Sequence, residues 1–197
     1  MHNVFLNTNI NVNKFKQVVY KKGEIVFNEL DPVNSIGFVC YGNISIKTYT
    51  YNEKEYEINN ISGNSLFGEF MLFSNNPVFL GTGITVKETK VIYLSKKELI
   101  ECMGNQRFSE NYLSLISSIS RNIQRKVKVL SQKEIRDKIL FILYDNLKQN
   151  KNNVYYIESK EKLSRFINVT RPSLSRELIN MKNEGIIDFG KHYIKLN

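Results

Sequence analysis

Histidine and cysteine are scarce in this chain of 197 residues, which contains two of each. Cys40 and Cys102 are far apart, neither belongs to a Cys-x-x-Cys pair, and two thiolates do not complete a typical four-cysteine zinc or iron–sulfur site. His2 and His192 lie near the two ends of the sequence, so neither is placed as the base that serine and cysteine nucleophiles usually require. We therefore expect no metal site, no catalytic residues and no enzyme, although composition alone leaves a carboxylate-based site open.

Sequence motifs for nucleotide cofactors and for membrane insertion are missing too. The chain has no Walker-type or dinucleotide-binding glycine motif, and none of its apolar runs approaches the length of about eighteen residues that a membrane span requires. Its first residues lack the charged segment and apolar run that are typical of a signal peptide. We expect a cytoplasmic protein with no membrane partner.

The net charge of +9 is unevenly distributed along the chain. Residues 1–120 contain 11 basic and 11 acidic residues, whereas residues 121–197 contain 17 basic and 8 acidic residues. A neutral module followed by a basic one is typical of polyanion-binding proteins, because basic side chains that neutralise phosphates release counterions from nucleic acid. The alternative is a basic surface that only promotes solubility.

Residues 17–94 are predicted to form β structure. Short apolar or alternating runs recur there, and turn-forming pairs such as Lys22-Gly23, Gly42-Asn43 and Asn52-Glu53 separate them. Many short strands with regular turns indicate a sandwich, a roll or a barrel. Cys40 lies in one of these runs and is expected to be a small buried hydrophobic residue.

A long helix is predicted from Ser109 to about Leu130. Apolar residues recur in it at spacings of three and four, as on one face of a helix, and polar residues fill the remaining positions. These apolar residues are Tyr112, Ile116, Ile119, Ile123, Val127 and Leu130. The stripe is as narrow as a coiled-coil seam, so we favour a two-helix dimer contact over packing against the chain's own β domain.

Ser131 and Glu134 have the Ser-x-x-Glu spacing of a capping box, so a second helix is predicted to begin near Ser131. Its apolar residues form a broader face, which suits a small core. The asparagine-rich segment 149–153 is predicted to be a loop. Ser131 is accordingly a candidate hinge between an N-terminal and a C-terminal module.

The last forty residues predict two short helices followed by a β-hairpin. Ser159 can cap a helix from Lys160 to about Ile167, and Thr170 can cap the next one, because hydroxyl side chains accept hydrogen bonds from the first free N–H groups of a helix. Pro172 is tolerated in a first helical turn, and Gly185 is well placed to end the helix. Residues 186–196 would then form a two-stranded wing. The apolar anchors expected to face the core are Leu174, Leu178, Ile179 and Met181.

The second of these helices begins with residues suited to DNA recognition. Arg171 and Arg176 are the candidates for contacts to guanine, since arginine donates two hydrogen bonds to the guanine edge in the major groove. The candidates for phosphate contacts, which fix register without reading sequence, are Thr170, Ser173, Ser175 and Lys191.

In this order of elements, and over nearly its full length, the chain resembles the Crp/Fnr family of bacterial transcription regulators. The strongest local match is Val169 to Leu178, followed by Gly185-Ile186-Ile187, and a second is Gly63-x-x-x-x-Gly68-Glu69-Phe70-x-Leu72-Phe73. The resemblance implies an α+β fold with a cyclic-nucleotide-binding-like β-roll at 1–105, a long dimerisation helix at 106–131 and a winged helix-turn-helix at 132–197. It also implies that Arg171 and Arg176 match the family's base-reading arginines.

The second match resembles the start of the family's phosphate-binding cassette. In members that bind cyclic nucleotides, an Arg-Ser/Thr-Ala segment follows the Gly-Glu pair and its arginine pairs with the cyclic phosphate. Here Gly68 and Glu69 are present, but Phe79, Leu80 and Gly81 stand in place of that segment. These positions, Gly68, Glu69, Phe79 and Leu80, are the candidate effector pocket. A buried phosphate without a cation costs several kcal/mol, so we expect that cyclic AMP is not the effector, whose identity the sequence leaves open.

Other features of the family do not carry over directly. Its iron–sulfur members need four cysteines, and its haem members need an axial ligand, usually His or Cys, for which no histidine is well placed. Some members place an acidic residue directly after the first base-reading arginine, where this chain has Pro172. We therefore do not expect this protein to recognise the operator sequence that those members bind.

The expected function is sequence-specific DNA binding as a homodimer. Two recognition helices in successive major grooves imply a near-palindromic operator on double-stranded DNA, and RNA polymerase is a further candidate partner. One alternative is a constitutive DNA-binding regulator whose β-roll is an orphan interaction module without a ligand. A second alternative, a small-molecule-dependent enzyme subunit, lacks a catalytic constellation.

Overall fold

The computed structural model describes residues 4–49 and 55–197, so His2 and the turn expected at Asn52-Glu53 lie outside the described residues. The chain divides into two compact units, residues 1–117 and residues 118–197. In the first unit, a short 3-10 helix at Val12–Lys14 precedes six strands, which are β1 (Lys16–Tyr20), β2 (Ile25–Phe27), β3 (Ser35–Tyr49), β4 (Glu55–Ser62), β5 (Ser65–Phe67) and β6 (Thr82–Ser95). The helix α1 (Lys96–Met103) follows, and the boundary between the two units lies within the next helix, α2 (Gln106–Leu130).

The six strands form one antiparallel sheet around the two long strands β3 and β6. The sheet order is β1-β6-β3-β4, with β2 paired to β6 and β5 paired to β3. Alternate residues of these strands point to the same face, and one such face encloses an apolar core. The buried members of this core are Phe27, Val39, Ile44, Ile61, Phe67 and Val91.

The turn predicted at Gly42-Asn43 is wrong, because β3 continues through these residues. The register with β6 shifts on both sides of Gly42, and Gly42 has φ 106°. A Cβ at Gly42 would collide with Thr89, and the Thr89 hydroxyl receives the backbone N–H of Asn43 at 2.9 Å. The glycine signal thus marks a bulge that bends a single long strand, a common role of glycine inside strands.

Local hydrogen bonds define the start of α1. Ser95 accepts from the backbone N–H of Glu98 at 3.3 Å, and the Glu98 carboxylate accepts from the backbone N–H of Ser95 at 2.8 Å. This reciprocal pair is a capping box that the sequence analysis did not identify. The hydrogen bonds from the Ser95 hydroxyl and backbone hold the pKa of Glu98 below its ordinary value.

The second unit contains three further helices and a three-stranded sheet. Its elements after α2 are α3 (Ile135–Asn150), β7 (Val154–Tyr156), α4 (Lys160–Phe166), α5 (Arg171–Asn183), β8 (Ile187–Phe189) and β9 (Tyr193–Leu196). The predicted wing, β8 and β9, is confirmed, and β7 adds a third strand on the other side of β9 that was not predicted. The core of this unit joins all three helices to the sheet through Ile142, Leu163, Leu174, Leu178 and Ile194.

Three predictions for this unit are wrong. The segment 149–153 is not entirely a loop, because α3 continues to Asn150. Ser131 does not cap α3; its hydroxyl donates to the carbonyl of Lys128 at the end of α2, and Glu134 occupies the N-cap position without a side-chain hydrogen bond. Ile179 is 52% exposed, whereas Leu178 is fully buried. Successive helical residues are about 100° apart, so Ile179 turns away from the face that Leu178 and Met181 bury.

Candidate nucleic-acid interface

Helices α4 and α5 are joined by a tight turn and are capped as predicted. The Ser159 hydroxyl accepts from the N–H of Lys162 at 3.1 Å, and the Thr170 hydroxyl accepts from the N–H of Ser173 at 3.3 Å. The turn uses Asn168 at φ 54°, a left-handed conformation that asparagine tolerates better than most residues. These contacts place the first helical turn of α5 at the surface, directly after the connection from α4.

Arg171 and Arg176 lie on the exposed side of α5. Within residues 4–49 and 55–197, neither guanidinium makes a hydrogen bond or an ion pair with the protein. By contrast, Leu174, Leu178 and Met181 on the opposite side are fully buried. The apolar face therefore anchors α5 and leaves both arginines available for an external acceptor.

Three of the four predicted phosphate-contacting residues lie in the first turns of α5 or at its N-cap. The hydroxyls of Thr170 and Ser173 lie 2.7 Å apart, and Ser173 and Ser175 are partly exposed. Lys191 is exposed in the segment between β8 and β9. Its ammonium group makes no hydrogen bond or ion pair within the described part of the chain. The structure therefore gathers Thr170, Ser173 and Ser175 on α5, while Lys191 lies on the wing.

The wing is attached to α5 by a second set of charged contacts. Lys182 donates to Asp188 at 2.6 Å, which lowers the pKa of Asp188 and raises the pKa of Lys182. The ammonium groups of Lys160 and Lys182 lie 4.4 and 5.5 Å from the centre of the Phe189 ring. Such cation–π contacts hold lysines over an aromatic face.

Arg136 on α3 makes contacts that the sequence analysis did not anticipate. Its Nε donates to Glu177 at 2.7 Å, and its Nη1 and Nη2 donate to the two carboxylate oxygens of Glu184 at 2.8 and 2.7 Å. The hydrogen bonds to Glu184 and Glu177 raise the pKa of Arg136. These partners are 41 and 48 positions away in sequence, so no local pattern indicates the pairing.

The stripe on α2 is partly exposed in the single chain. Ile123 and Val127 are 50% and 61% exposed, and Ile116 and Ile119 are half-buried. Tyr112 is half-buried and stacks on Phe108 with the ring centres 6.1 Å apart. The apolar residues between 116 and 127 thus remain open to a partner, whereas Tyr112 already contacts its own chain.

The interior of the roll is aromatic at the position where the family's cassette carries an arginine. Phe79 stacks on Phe27 with ring centres 3.9 Å apart, and a Cβ at Gly83 would lie 2.5 Å from the Phe27 ring. Leu80 is 65% exposed. Beside the stack lies a cavity of about 230 Å³, which Phe27, Asp31, Phe79 and other residues line. No lysine or arginine of the described residues lines this cavity.

Gly68 and Glu69 lie at the end of β5. Gly68 is buried with φ 79°, and burial raises the pKa of the Glu69 carboxyl above its ordinary value. The structure places Phe79 near Gly68, since a Cβ there would lie 3.7 Å from the Phe79 ring. Gly68 and Phe79 are therefore neighbours, while Leu80 points toward solvent.

Both cysteines are free thiols that are at least partly buried. Cys102 is buried and Cys40 is half-buried rather than fully buried, and burial raises the pKa of both thiols. Across the described ranges, no group of three His, Cys, Asp or Glu side chains is arranged to hold a metal ion. Over the same ranges, no helix is both long enough and apolar enough to cross a bilayer.

Comparison with known proteins identifies the N-terminal part and the fold. The family model of the cyclic nucleotide-binding domain matches residues 17–106, and no curated protein sequence matches the chain significantly. The catabolite activator protein of Thermus thermophilus is 18% identical over 98% of this chain and 93% of its own, with a TM-score of 0.55.

Two further solved structures are similar at the same identity of 18%. CprK (C200S) complexed with OCPA has a TM-score of 0.72, and the similarity covers 94% of this chain and 86% of CprK. The c-di-GMP responsive global regulator CLP of Xanthomonas campestris has a TM-score of 0.62, with 94% of this chain and 96% of CLP covered. Residues 17–106 thus match the model of the cyclic nucleotide-binding domain, and the chain has the fold of the Crp/Fnr-family transcription regulators.

Proposed function

We propose that this protein is a homodimeric transcription regulator that binds DNA with sequence specificity through α5. The observation that carries the proposal is the pair Arg171 and Arg176, exposed at the beginning of a capped helix and free of protein partners within the described residues. Guanidinium groups that are not used inside the protein remain available for bidentate contacts to guanine edges.

The charges around α5 support a duplex as the partner. Residues 121–197 carry 17 basic and 8 acidic residues, and the carboxylates of Glu177 in α5 and Glu184 at its C-cap are both paired with Arg136. The N-terminal end of α5 also presents the positive end of its helix dipole to an approaching phosphate. Basic side chains and the helix dipole act together here, so the start of α5 favours a polyanion.

The exposed stripe on α2 supports a second copy of the chain as the dimer partner. Half-exposed Ile123 and Val127 lie one helical turn apart, as the positions of a two-helix seam do. In a two-fold dimer, two copies of α5 contact half-sites about one helical turn of DNA apart, roughly 34 Å. We therefore propose a near-palindromic operator.

We propose that cyclic AMP is not the effector. Where the family's arginine pairs with the cyclic phosphate, Phe79 is stacked on Phe27, and the adjacent cavity has Asp31 but no cation among its described lining residues. An anionic phosphate placed there would lose its hydration without gaining a counter-charge, which costs several kcal/mol.

The aromatic interior also favours a second candidate function, which is constitutive DNA binding with a β-roll that takes no ligand. The Phe27–Phe79 stack fills part of the space that an effector would need. The two candidates differ in one measurement. Purified protein that binds its operator with full affinity in the absence of any small molecule supports constitutive binding, whereas an effector-dependent regulator gains affinity only after a cell extract of small molecules is added.

Selection of duplexes from a random library tests the proposed function directly. Purified full-length protein is incubated with the library in moderate salt, and the bound fraction is amplified and sequenced over several rounds. We expect enrichment of a near-palindromic sequence whose half-sites are centred about one helical turn apart. Enrichment of no sequence, with uniform binding of all duplexes, contradicts sequence-specific regulation.

A further inference from the structure

The contacts of Arg136 connect α3 to two points on the recognition helix α5. One guanidinium uses three N–H groups to reach Glu177 and both carboxylate oxygens of Glu184. Its side chain is 36% exposed, and those of Glu177 and Glu184 are 20% and 46% exposed. We call this group, Arg136 with Glu177 and Glu184, the arginine clamp.

The spacing of the two carboxylates gives the clamp control over the orientation of α5. Glu177 in α5 and Glu184, its C-cap residue, are seven residues apart, which is close to two helical turns, so both lie on the same side of the helix. A rigid helix held at two points two turns apart cannot roll about its own axis without breaking one of the contacts. The clamp therefore resists rotation of α5 against α3.

The apolar packing of α5 and the clamp constrain its rotation in different ways. Leu174, Leu178 and Met181 are fully buried, and a close-packed interior tolerates only small displacements of such side chains. Charge-assisted hydrogen bonds of a guanidinium to carboxylates are directional and lose strength quickly when the angle changes. The buried face holds α5 in the unit, and the clamp adds directional contacts on the side of α5 that bears Glu177.

Rotation of α5 matters because Arg176 is adjacent to the clamped Glu177. Side-chain tips lie about 5–6 Å from the axis of a helix, so a roll of about 20° moves such a tip by about 2 Å. A hydrogen bond from Arg176 to a base edge does not survive a displacement of that size. We propose, resting on the proposed function, that Arg136 is a positioning residue for DNA recognition, which sets the rotation of α5 and thereby the direction of Arg176.

The test compares specific with non-specific binding for the full-length protein and its Arg136→Lys variant. Lysine keeps the positive charge, but its compact ammonium lacks the planar fork with which the guanidinium reaches both carboxylates. The readout is the ratio of affinities for the selected duplex and for a scrambled duplex of equal length and composition. We expect this ratio to fall about tenfold, as for loss of one bidentate base contact, with unchanged affinity for the scrambled duplex.

Two further variants separate positioning from general effects. Glu184→Gln removes the bidentate half of the clamp at an exposed position, and we expect it to lower the ratio in the same direction. Lys148→Ala removes an exposed cation from the same helix α3, where no ion pair holds it within the described chain, and we expect an unchanged ratio. Melting curves followed by circular dichroism accompany each variant.

The outcomes distinguish the clamp from the proposed function. If the wild-type protein prefers one sequence and Arg136→Lys retains the full ratio, the positioning role is overturned while the proposed function stands. Equal loss of affinity for both duplexes assigns Arg136 a merely structural role and also overturns the proposal. If the wild-type protein itself shows no preference, the proposed function fails and the clamp proposal fails with it.

Discussion

Replacement of Ile123 by aspartate is expected to dissociate the proposed dimer. Full burial of an isoleucine side chain contributes about 1.5–3 kcal/mol, and Ile123 is 50% exposed in the single chain. Dimerisation therefore gains about 1 kcal/mol per Ile123 side chain, and twice that per two-fold dimer. A carboxylate in the seam adds a desolvation cost of several kcal/mol. A total near 5 kcal/mol raises the dimer dissociation constant by three to four orders of magnitude, roughly.

Sedimentation velocity over a series of protein concentrations measures this change. The wild-type protein is expected to sediment as a dimer, and Ile123→Asp as a monomer at the same concentrations. Asn122→Asp is the matched control, since it adds the same charge at the neighbouring exposed position of α2 and is expected to remain dimeric. An Ile123→Asp variant that stays dimeric at micromolar concentration refutes the assignment of the seam to this stripe.

Three other outcomes are expected. Cyclic AMP should leave the melting temperature unchanged, whereas a ligand present at 100 times its Kd would stabilise the fold by about 2.7 kcal/mol; a concentration-dependent rise would show that the roll binds it. Burial raises the pKa of Glu69 above 4.5, so its contribution to stability is fully present below pH 4.5 and is lost as the pH rises through the folded-state pKa. Glu69→Gln should remove that decline in urea titrations, and an unchanged pH profile would contradict it. Leu178→Ala should lower the free energy of unfolding by about 2–5 kcal/mol, while Ile179→Ala at a 52% exposed position should cost less than about 1 kcal/mol; similar losses for both would contradict the burial pattern of α5.

Elements whose determinants are local were predictable from the sequence. Thr170 and Ser159 were identified as N-caps because a capping hydrogen bond joins residues only three positions apart. The wing followed from two short apolar runs around Gly190. The exposure of Arg171 and Arg176 followed from the helical period once the buried face was recognised.

Elements that depend on tertiary contacts were not predictable. The glycine at 42 has the local signature of a turn, yet it forms a bulge because β6 pairs with β3 on both sides of it. The Ser-x-x-Glu spacing occurs at Ser131 and at Ser95, but only Ser95 forms the capping box. Spacing therefore identifies a candidate cap, and the surrounding structure decides which candidate is used.

The candidate interface shows the same division. Its exposed arginines are recognisable from the sequence. The apolar residues of α5 recur at spacings of three and four, and the arginines fall outside this pattern. The clamp that holds this helix is not recognisable, since Arg136 meets carboxylates 41 and 48 positions away. Neither residue type nor spacing distinguishes Arg136 from the other basic residues of the C-terminal unit.

The most direct test of sequence-specific recognition by α5 measures Arg176→Ala and Lys191→Ala on the selected operator and on its single-base variants, over a series of salt concentrations. For Arg176→Ala, we expect a loss of about 1–3 kcal/mol on the operator and relaxed discrimination at one base pair of each half-site. For Lys191→Ala, we expect uniformly weaker binding to all duplexes and a salt slope reduced by about one. Unchanged discrimination at every base pair in Arg176→Ala would contradict the reading of bases by this helix.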